Sequence, residues 1–416
     1  MQKPVIKPKS IVIAAVAVIW FLLFSAANPV WAEDEKTAEL IFGHEVDAAL
    51  LLEPKTGTVL YEKNAHSRVY PASITKIMTL LLAMEDLEKG EVGLHHEVEV
   101  SSEAEKMGGS QLFLSAGDRV ELKELLKGVL VGSANDAAVA VAEHLSGTEE
   151  KFVERMNQKA RELGMTQTKF QNPHGIHDEH HYTTAHDISV MSSELLEYPH
   201  IHEWATIWMD KHFLKGKIEA GEVYLSNSNR MIHYYRGCDG LKTGFTDEAG
   251  HGIAATAQRE GTRFLAIVKG APTSDERYQA ANTLLDYAFS HYRSLPVMEK
   301  KELVASVPVE KGEYSKVNAV TKEAVNLLMR VDEDATYEKE IDLPERVHPP
   351  LEKGETIGRV IVSRGSNMKR NDVDEKIDKE NKGIIEVDLV AAWDIPPATY
   401  RTILDRTFSI WLGFGK

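Results

Sequence analysis

The sequence predicts a mixed α/β (α+β) domain, a sheet with helices on its faces, followed by a small all-β domain and a C-terminal amphipathic helix. Three observations carry this. Strand-like runs stand at both ends of a helix-rich block, which one sheet with helices packed on its faces accommodates. From about Leu295 the chain changes to short alternating runs separated by Gly, Pro and charged turns. Near the end, Tyr400, Ile403, Leu404, Phe408, Trp411 and Leu412 share one helical face, and Arg401, Thr402, Asp405, Arg406 and Ser409 the other.

The elements follow in order. Lys3, Lys7 and Lys9 precede the apolar stretch from Ile11 to Phe24, and Val30-Trp31-Ala32 resembles a cleavage site ahead of Glu33-Asp34-Glu35. Residues 1–32 therefore read as a secretory signal peptide, with an uncleaved membrane anchor as the alternative. Either reading exports the rest. Val46–Leu52 and Thr58–Tyr61, joined by the turn-like Glu53–Gly57, predict a hairpin. A helix is predicted from Ser73, where Ile74, Ile77, Met78, Leu81 and Leu82 recur at helical spacing, to Gly90. Further helices are predicted at Leu122–Leu130, Ala137–Leu145, Phe152–Leu163 and Ala280–Phe289, and strands at Gly252–Ala257 and Phe264–Val268. Strands at Leu303–Val309 and Arg359–Val362 belong to the all-β part, and the charge run Asn371–Lys382 reads as a solvated loop. The tail helix has aromatic apolar residues and basic flanks, which suit a membrane interface. A helix docked on its own β domain is the alternative.

Composition narrows the function. The 416 residues suggest about two or three domains. A net charge of −16 argues against a nucleic-acid partner, for which a basic patch would be expected. Cys238 is the single cysteine, so no internal disulfide can form, and nothing around it spells a nucleophile motif.

Three short motifs carry chemistry. In Ser73-Ile74-Thr75-Lys76, helical spacing puts the hydroxyl and the amine on one face. A serine needs a base within hydrogen-bond reach. Lys76 serves only when neutral, which burial or a nearby cation would favour. Ser133-Ala134-Asn135 lies between two predicted helices, and Lys242-Thr243-Gly244 is expected ahead of a strand-like stretch. Lys242 could be the second cation and Ser133 a proton relay. Lys55-Thr56-Gly57 repeats the third motif but precedes the serine in a hairpin turn, so it reads as structural.

The order and wide spacing of these motifs resemble the penicillin-binding protein and serine β-lactamase superfamily, and more narrowly the low-molecular-weight D-alanyl-D-alanine carboxypeptidases. The flanks match too: Pro71-Ala72 with Ile77-Met78-Thr79, Met107-Gly108-Gly109-Ser110, Asp136-Ala137-Ala138, Asn172-Pro173-His174-Gly175 and Asp239-Gly240-Leu241. The resemblance covers nearly all of the chain after the leader. It implies the penicillin-binding, β-lactamase-like transpeptidase fold at residues 33–294, a β-rich domain at 295–392 and a membrane-surface helix at 393–416. It implies removal of the terminal D-alanine from stem pentapeptides ending in D-Ala-D-Ala. It also implies β-lactams as covalent inhibitors, no cofactor, and attachment to the outer face of the cytoplasmic membrane.

Carried over residue by residue, Ser73 is the acylated nucleophile, Lys76 its base and Ser133 the proton relay. Asn135 binds the peptide backbone, Lys242 supplies charge, and Thr243 holds the terminal carboxylate beside Gly244. The amides of Ser73 and Phe245 form the oxyanion hole, and Arg277 falls where relatives carry an arginine near the carboxylate. Ala134 stands where glycine is frequent, Phe245 where some relatives have histidine or tyrosine, and Asn227-Ser228-Asn229 lacks an arginine some relatives carry. His174, His177, His180, His181 and His186 crowd together with acids, yet no H-E-x-x-H occurs, so no metal site is expected. A class A β-lactamase should carry a glutamate in the loop before the third motif for deacylation, and no convincing E-x-x-x-N element is there. A sensor ectodomain would be tied to a long signalling part that the sequence lacks.

Overall fold

The computed structural model describes residues 43–332, 336–364 and 384–411. The predicted leader at 1–32, the charge run 371–382 and Leu412 lie outside the described residues.

The hairpin forms as β1 (Ala48–Glu53) and β2 (Thr58–Lys63). Its turn is closed by the Glu53 carboxylate, which accepts the Thr56 amide and hydroxyl at 2.7 Å each. The second K-T-G is therefore a turn. The chain then makes a 3-10 turn at Ala72–Thr75 and continues as α1 (Lys76–Lys89). Buried residues surround α1 on nearly every side, which makes it the central helix of the domain. Gly90 ends it in the left-handed conformation at φ 73°, donating back to Asp86 and Leu87.

A small ladder follows, β3 (Glu97–Glu99) with β4 (Arg119–Glu121), enclosing the short helix α2 (Ser102–Glu105). The predicted helix 122–130 is shorter. It forms α3 (Leu122–Lys127), then widens into a π-type turn at Gly128–Gly132 that ends on Ser133 at φ 62°. Gly128 and Gly132 allow the wide turn to sit close to Leu112 and Leu225, since an added Cβ would come within 2.4 and 2.8 Å of those side chains. Helices α4 (Asn135–Ser146) and α5 (Glu149–Glu162) follow. Two more helices, α6 (Ala185–Leu195) and α7 (Pro199–Ala205), and the hairpin β5 (Met209–Phe213) with β6 (Val223–Ser226) come next, then the short α8 (Met231–Tyr234).

The sheet is completed by β7 (Cys238–Thr246), β8 (Gly250–Arg259) and β9 (Thr262–Ala271), in the order β2-β1-β9-β8-β7. Every neighbouring pair is antiparallel. All six residues of β1 and nine of the ten of β9 are buried. Successive side chains of a strand point to opposite faces, so burial of every residue means both faces are covered. Helices α6 and α9 (Ser274–His291) both pack on this sheet.

The all-β part opens at β10 (Tyr292–Met298), which pairs with β13 (Val325–Arg330). A second sheet joins β11 (Leu303–Pro308), β12 (Lys316–Thr321), β16 (Ile384–Ala391), β15 (Thr356–Arg364) and β14 (Tyr337–Asp342), in that order. It has its own apolar core, including Val317, Leu327, Val360, Val362 and Leu389.

The tail forms α10 (Tyr400–Trp411). It docks on the β part by its polar side: Thr402 donates to the Glu313 carboxylate at 2.7 Å, and Arg406 to the Gly312 and Glu313 carbonyls at 3.0 and 2.9 Å. Tyr400, Ile403, Leu404 and Phe408 are left exposed.

Candidate active site

Ser73 sits in the 3-10 turn and Lys76 starts α1, so the two straddle the junction of two helix types. Ser73 is half-buried and reachable, and Lys76 is fully buried. The Lys76 Nζ lies 3.2 Å from Ser73 Oγ, 2.6 Å from Asn135 Oδ1 and 2.7 Å from the His174 carbonyl. Burial holds its ammonium well below the ordinary lysine range, helped by the charge of Lys242 and opposed by Asp136. A neutral amine has two N–H groups and one lone pair. Asn135 and His174 take the two hydrogens, which leaves the lone pair for the Ser73 hydroxyl.

The turn that carries Ser73 is held by two close approaches. Gly175, at φ 87°, passes so near that an added Cβ would lie 1.9 Å from the Ala72 carbonyl oxygen. On the other side, a Cβ on Gly244 would lie 3.1 Å from Ser73 N, Ile74 N and Pro71 O. The third motif lies ahead of the strand β8, as expected, but is itself part of β7, and this edge strand runs directly against the nucleophile turn.

Asn135, the first residue of α4, is buried and is positioned by a loop. Its amide nitrogen donates to the Gly108 carbonyl at 2.7 Å and its backbone N–H to the Ser110 carbonyl at 2.7 Å. Asp136 beside it holds the same loop, accepting the Leu112 and Leu114 amides at 2.9 and 3.2 Å. In the sequence Asp136 reads only as a flank of the second motif. Ser133 is buried in its left-handed conformation, two residues before Asn135. Backbone strain of this kind collects at functional sites.

Lys242 is also fully buried, donating to the Thr243 carbonyl at 3.1 Å. Burial, then the nearby Arg277, push its ammonium down to about 7. The Thr243 hydroxyl points at the Ser228 carbonyl 3.5 Å away, which also accepts from Tyr278 at 3.0 Å. Arg277, on the first turn of α9, is buried with its guanidinium 4.4 Å over the Tyr278 ring. It donates to Ser274 at 3.0 Å, while its Nε has no protein partner. A buried donor left over near the charge of Lys242 suits an incoming anion.

Comparison with known proteins bears on this geometry. A family profile described as D-alanyl-D-alanine carboxypeptidase matches residues 34–273, and one described as penicillin-binding protein 5, C-terminal domain, matches 292–397. The D-alanyl-D-alanine carboxypeptidase DacF of Bacillus subtilis (strain 168) is 38% identical over 95% of this chain and 97% of its own length. The chain belongs to the D-alanyl-D-alanine carboxypeptidase family.

This carboxypeptidase is also 30% identical to DacC of Escherichia coli (strain K12), over 82% of this chain and 84% of that protein. Among solved structures it resembles penicillin binding protein 5 from Haemophilus influenzae (TM-score 0.66, 25% identity, 85% of this chain and 98% of that one). It also resembles penicillin-binding protein D2 from Listeria monocytogenes in its ampicillin-bound form (TM-score 0.52, 29% identity, 59% and 97%). The carboxypeptidase is thus a serine peptidase of the penicillin-binding fold, with a C-terminal all-β domain.

The histidine group is dispersed. His174 lies 3.6 Å from Glu149, His177 3.9 Å from Glu248, His186 3.2 Å from Asp187, and His181 bonds Thr75 at 3.0 Å. Burial pushes His181 down to about 4, so it packs against the nucleophile turn as a neutral ring. Among the described residues no group of three His, Cys, Asp or Glu could hold a metal ion. Cys238 is buried, and burial raises its thiol to about 12, which makes it inert.

Proposed function

We propose that Ser73 is the acylated nucleophile with which this protein removes the terminal D-alanine from stem pentapeptides, and that Lys76 is its base. The arrangement at Lys76 carries the reading: two acceptors consume its hydrogens and the remaining direction meets Ser73 Oγ at 3.2 Å. Lys76 takes the hydroxyl proton as Oγ attacks the carbonyl carbon of the penultimate D-alanine. The amides of Ser73 and Phe245 receive the oxyanion, which the close approach of β7 to the turn supports. The C–N bond then breaks, and Ser133 passes the proton from Lys76 to the departing D-alanine amine. Water hydrolyses the ester and frees Ser73. Asn135 aligns the peptide backbone. Lys242, Thr243 and Arg277 receive the terminal carboxylate, and Gly244 keeps the strand close.

A β-lactam reacts with the same serine, but its ring opens without losing a fragment. Intact mass spectrometry after exposure to benzylpenicillin should therefore show addition of one whole drug molecule. Ser73→Ala should abolish the adduct in a folded protein, and an adduct that survives this change sinks the assignment.

We further propose that residues 1–32 export the chain, that residues 33–294 form the catalytic domain and 295–392 a spacer, and that residues 393–416 bind the outer membrane surface. No helix among the described residues is long and apolar enough to cross a membrane. The docking of α10 by Thr402 and Arg406, with Tyr400 and Phe408 79% and 61% exposed, supports an interfacial helix.

A further inference from the structure

A third buried lysine lies under the active site, and the chemistry above does not use it. Lys269, on β9, is fully buried, and its Nζ meets the Pro71 carbonyl at 3.4 Å. That carbonyl opens the nucleophile turn, where it also accepts the Ile74 amide at 3.3 Å. The space for the ammonium exists because residue 252 is glycine: an added Cβ there would lie 2.7 Å from Lys269 Nζ. Gly252 pairs in register with Gly244, the residue that brings β7 against Ser73 N. Two opposed glycines thus let a strand approach the turn from the side and an amine approach it from beneath.

Burying an amine without a carboxylate in contact is costly. Among the described residues no ion pair is formed by Lys269, and Asp47 acts on it only at longer range. Burial holds it down to about 7, opposed by the charge of Asp47 and aided to a smaller extent by that of Arg277. A leucine or methionine would fill the same space without this cost. A destabilising group kept at such a place is accounted for if it orders the reacting atoms.

We propose that Lys269 is a positioning residue, pinning the Pro71 carbonyl so that the Ser73 hydroxyl and amide are fixed for attack. The proposal rests on the acyl-enzyme reading. The side-chain hydrogen bond of Lys269 goes to Pro71 and to none of the residues proposed to meet substrate, so its effect falls on the rate of bond formation and not on binding.

The test uses the full chain and benzylpenicillin, measuring the non-covalent dissociation constant, the first-order acylation constant and the melting midpoint. Lys269→Met keeps length and volume and removes the donor. The acylation constant should fall at least about ten-fold, as expected when a reacting group loses its orientation. The dissociation constant should stay within about two-fold, and the melting midpoint should hold or rise. A folded Lys269→Met protein that acylates within about two-fold of wild type overturns the proposal. So does a joint fall in acylation and melting, which is what a lysine serving the fold alone gives. Gly252→Ala keeps the lysine and displaces its flexible end, and it decides the matter if Lys269→Met does not fold. It should show the same loss of acylation, and an unchanged constant overturns the proposal. If wild type itself forms no adduct on Ser73, the acyl-enzyme reading fails instead, so the two failures are distinguishable.

Discussion

At the scale of the residue, the decisive quantity is the protonation of two buried amines. The role proposed for Lys76 requires it neutral, and that proposed for Lys242 requires it charged. Protonating Lys76 as the pH falls should therefore lower kcat/KM, and deprotonating Lys242 should lower it again above about 7, the position to which burial and Arg277 push it. The profile should be bell-shaped for a peptide ending in a free carboxylate. The alkaline limb should be absent for an acyl donor whose terminus is an amide, because no carboxylate then needs Lys242. A limb identical for both substrates would remove Lys242 from carboxylate binding. Lys76→Arg should be nearly inactive, since a guanidinium stays protonated. Spacing made the Ser73/Lys76 pair legible in the sequence, because three residues of helix bring two side chains together in any context. Asp136 and the His174 carbonyl were not legible as working groups. Nothing in a sequence says which backbone oxygen will face an amine 98 residues away.

At the scale of the element, the nucleophile turn depends on its neighbours. Gly175→Ala would drive a methyl into the Ala72 carbonyl, and the turn or the 172–175 loop must move. Displacement of about 1 Å at a reacting centre costs on the order of 10²-fold. Acylation by benzylpenicillin should fall by about that factor while circular dichroism stays native-like. Normal acylation would show that the loop, and not the turn, yields. The tail gives a second test. A protein from residue 33 ending at Ala392 should stay active on a small D-alanyl-D-alanine peptide and lose binding to anionic vesicles, which the protein from residue 33 to the end retains. Phe408→Glu should weaken vesicle binding, because this exposed ring lies on the apolar face. Equal sedimentation of long and short forms would leave α10 as a strut of the β part. Several elements escaped the sequence. Helix α6 has a local signal in Thr184 and Asp187, whose hydroxyl–amide cap at 3.0 Å is formed, but the histidines beside it mask its periodicity. β7 was missed because Gly240, Lys242 and Gly244 dilute its alternation.

At the scale of the whole molecule, the buried cations set a cost that depends on pH. Lys242 and Lys269 both lie at about 7 in the folded protein against an ordinary 10.5. Between those values the unfolded chain binds more protons than the folded one, so stability rises with pH. The upper end of this window is cut by Cys238, which is raised from 9.0 to about 12 and acts in the opposite direction once unfolded thiols ionise. The melting midpoint should therefore climb between pH 7 and about 9, and Lys269→Met should flatten the climb. A midpoint falling over that range, equally in both proteins, would contradict the placement of these amines. The sequence by itself determined the order of the domains and the three motifs, because periodicity and short spacing are local properties of the chain, and the resemblance of those motifs and their flanks pointed to the family. Only the tertiary structure decided how the motifs act together. It set β7 against the turn of Ser73, brought Asn135 and the His174 carbonyl to Lys76, and placed Lys269 beneath Pro71. These contacts join residues 59 to 198 positions apart, and their geometry is fixed by strand register and by glycines that leave room for close approach.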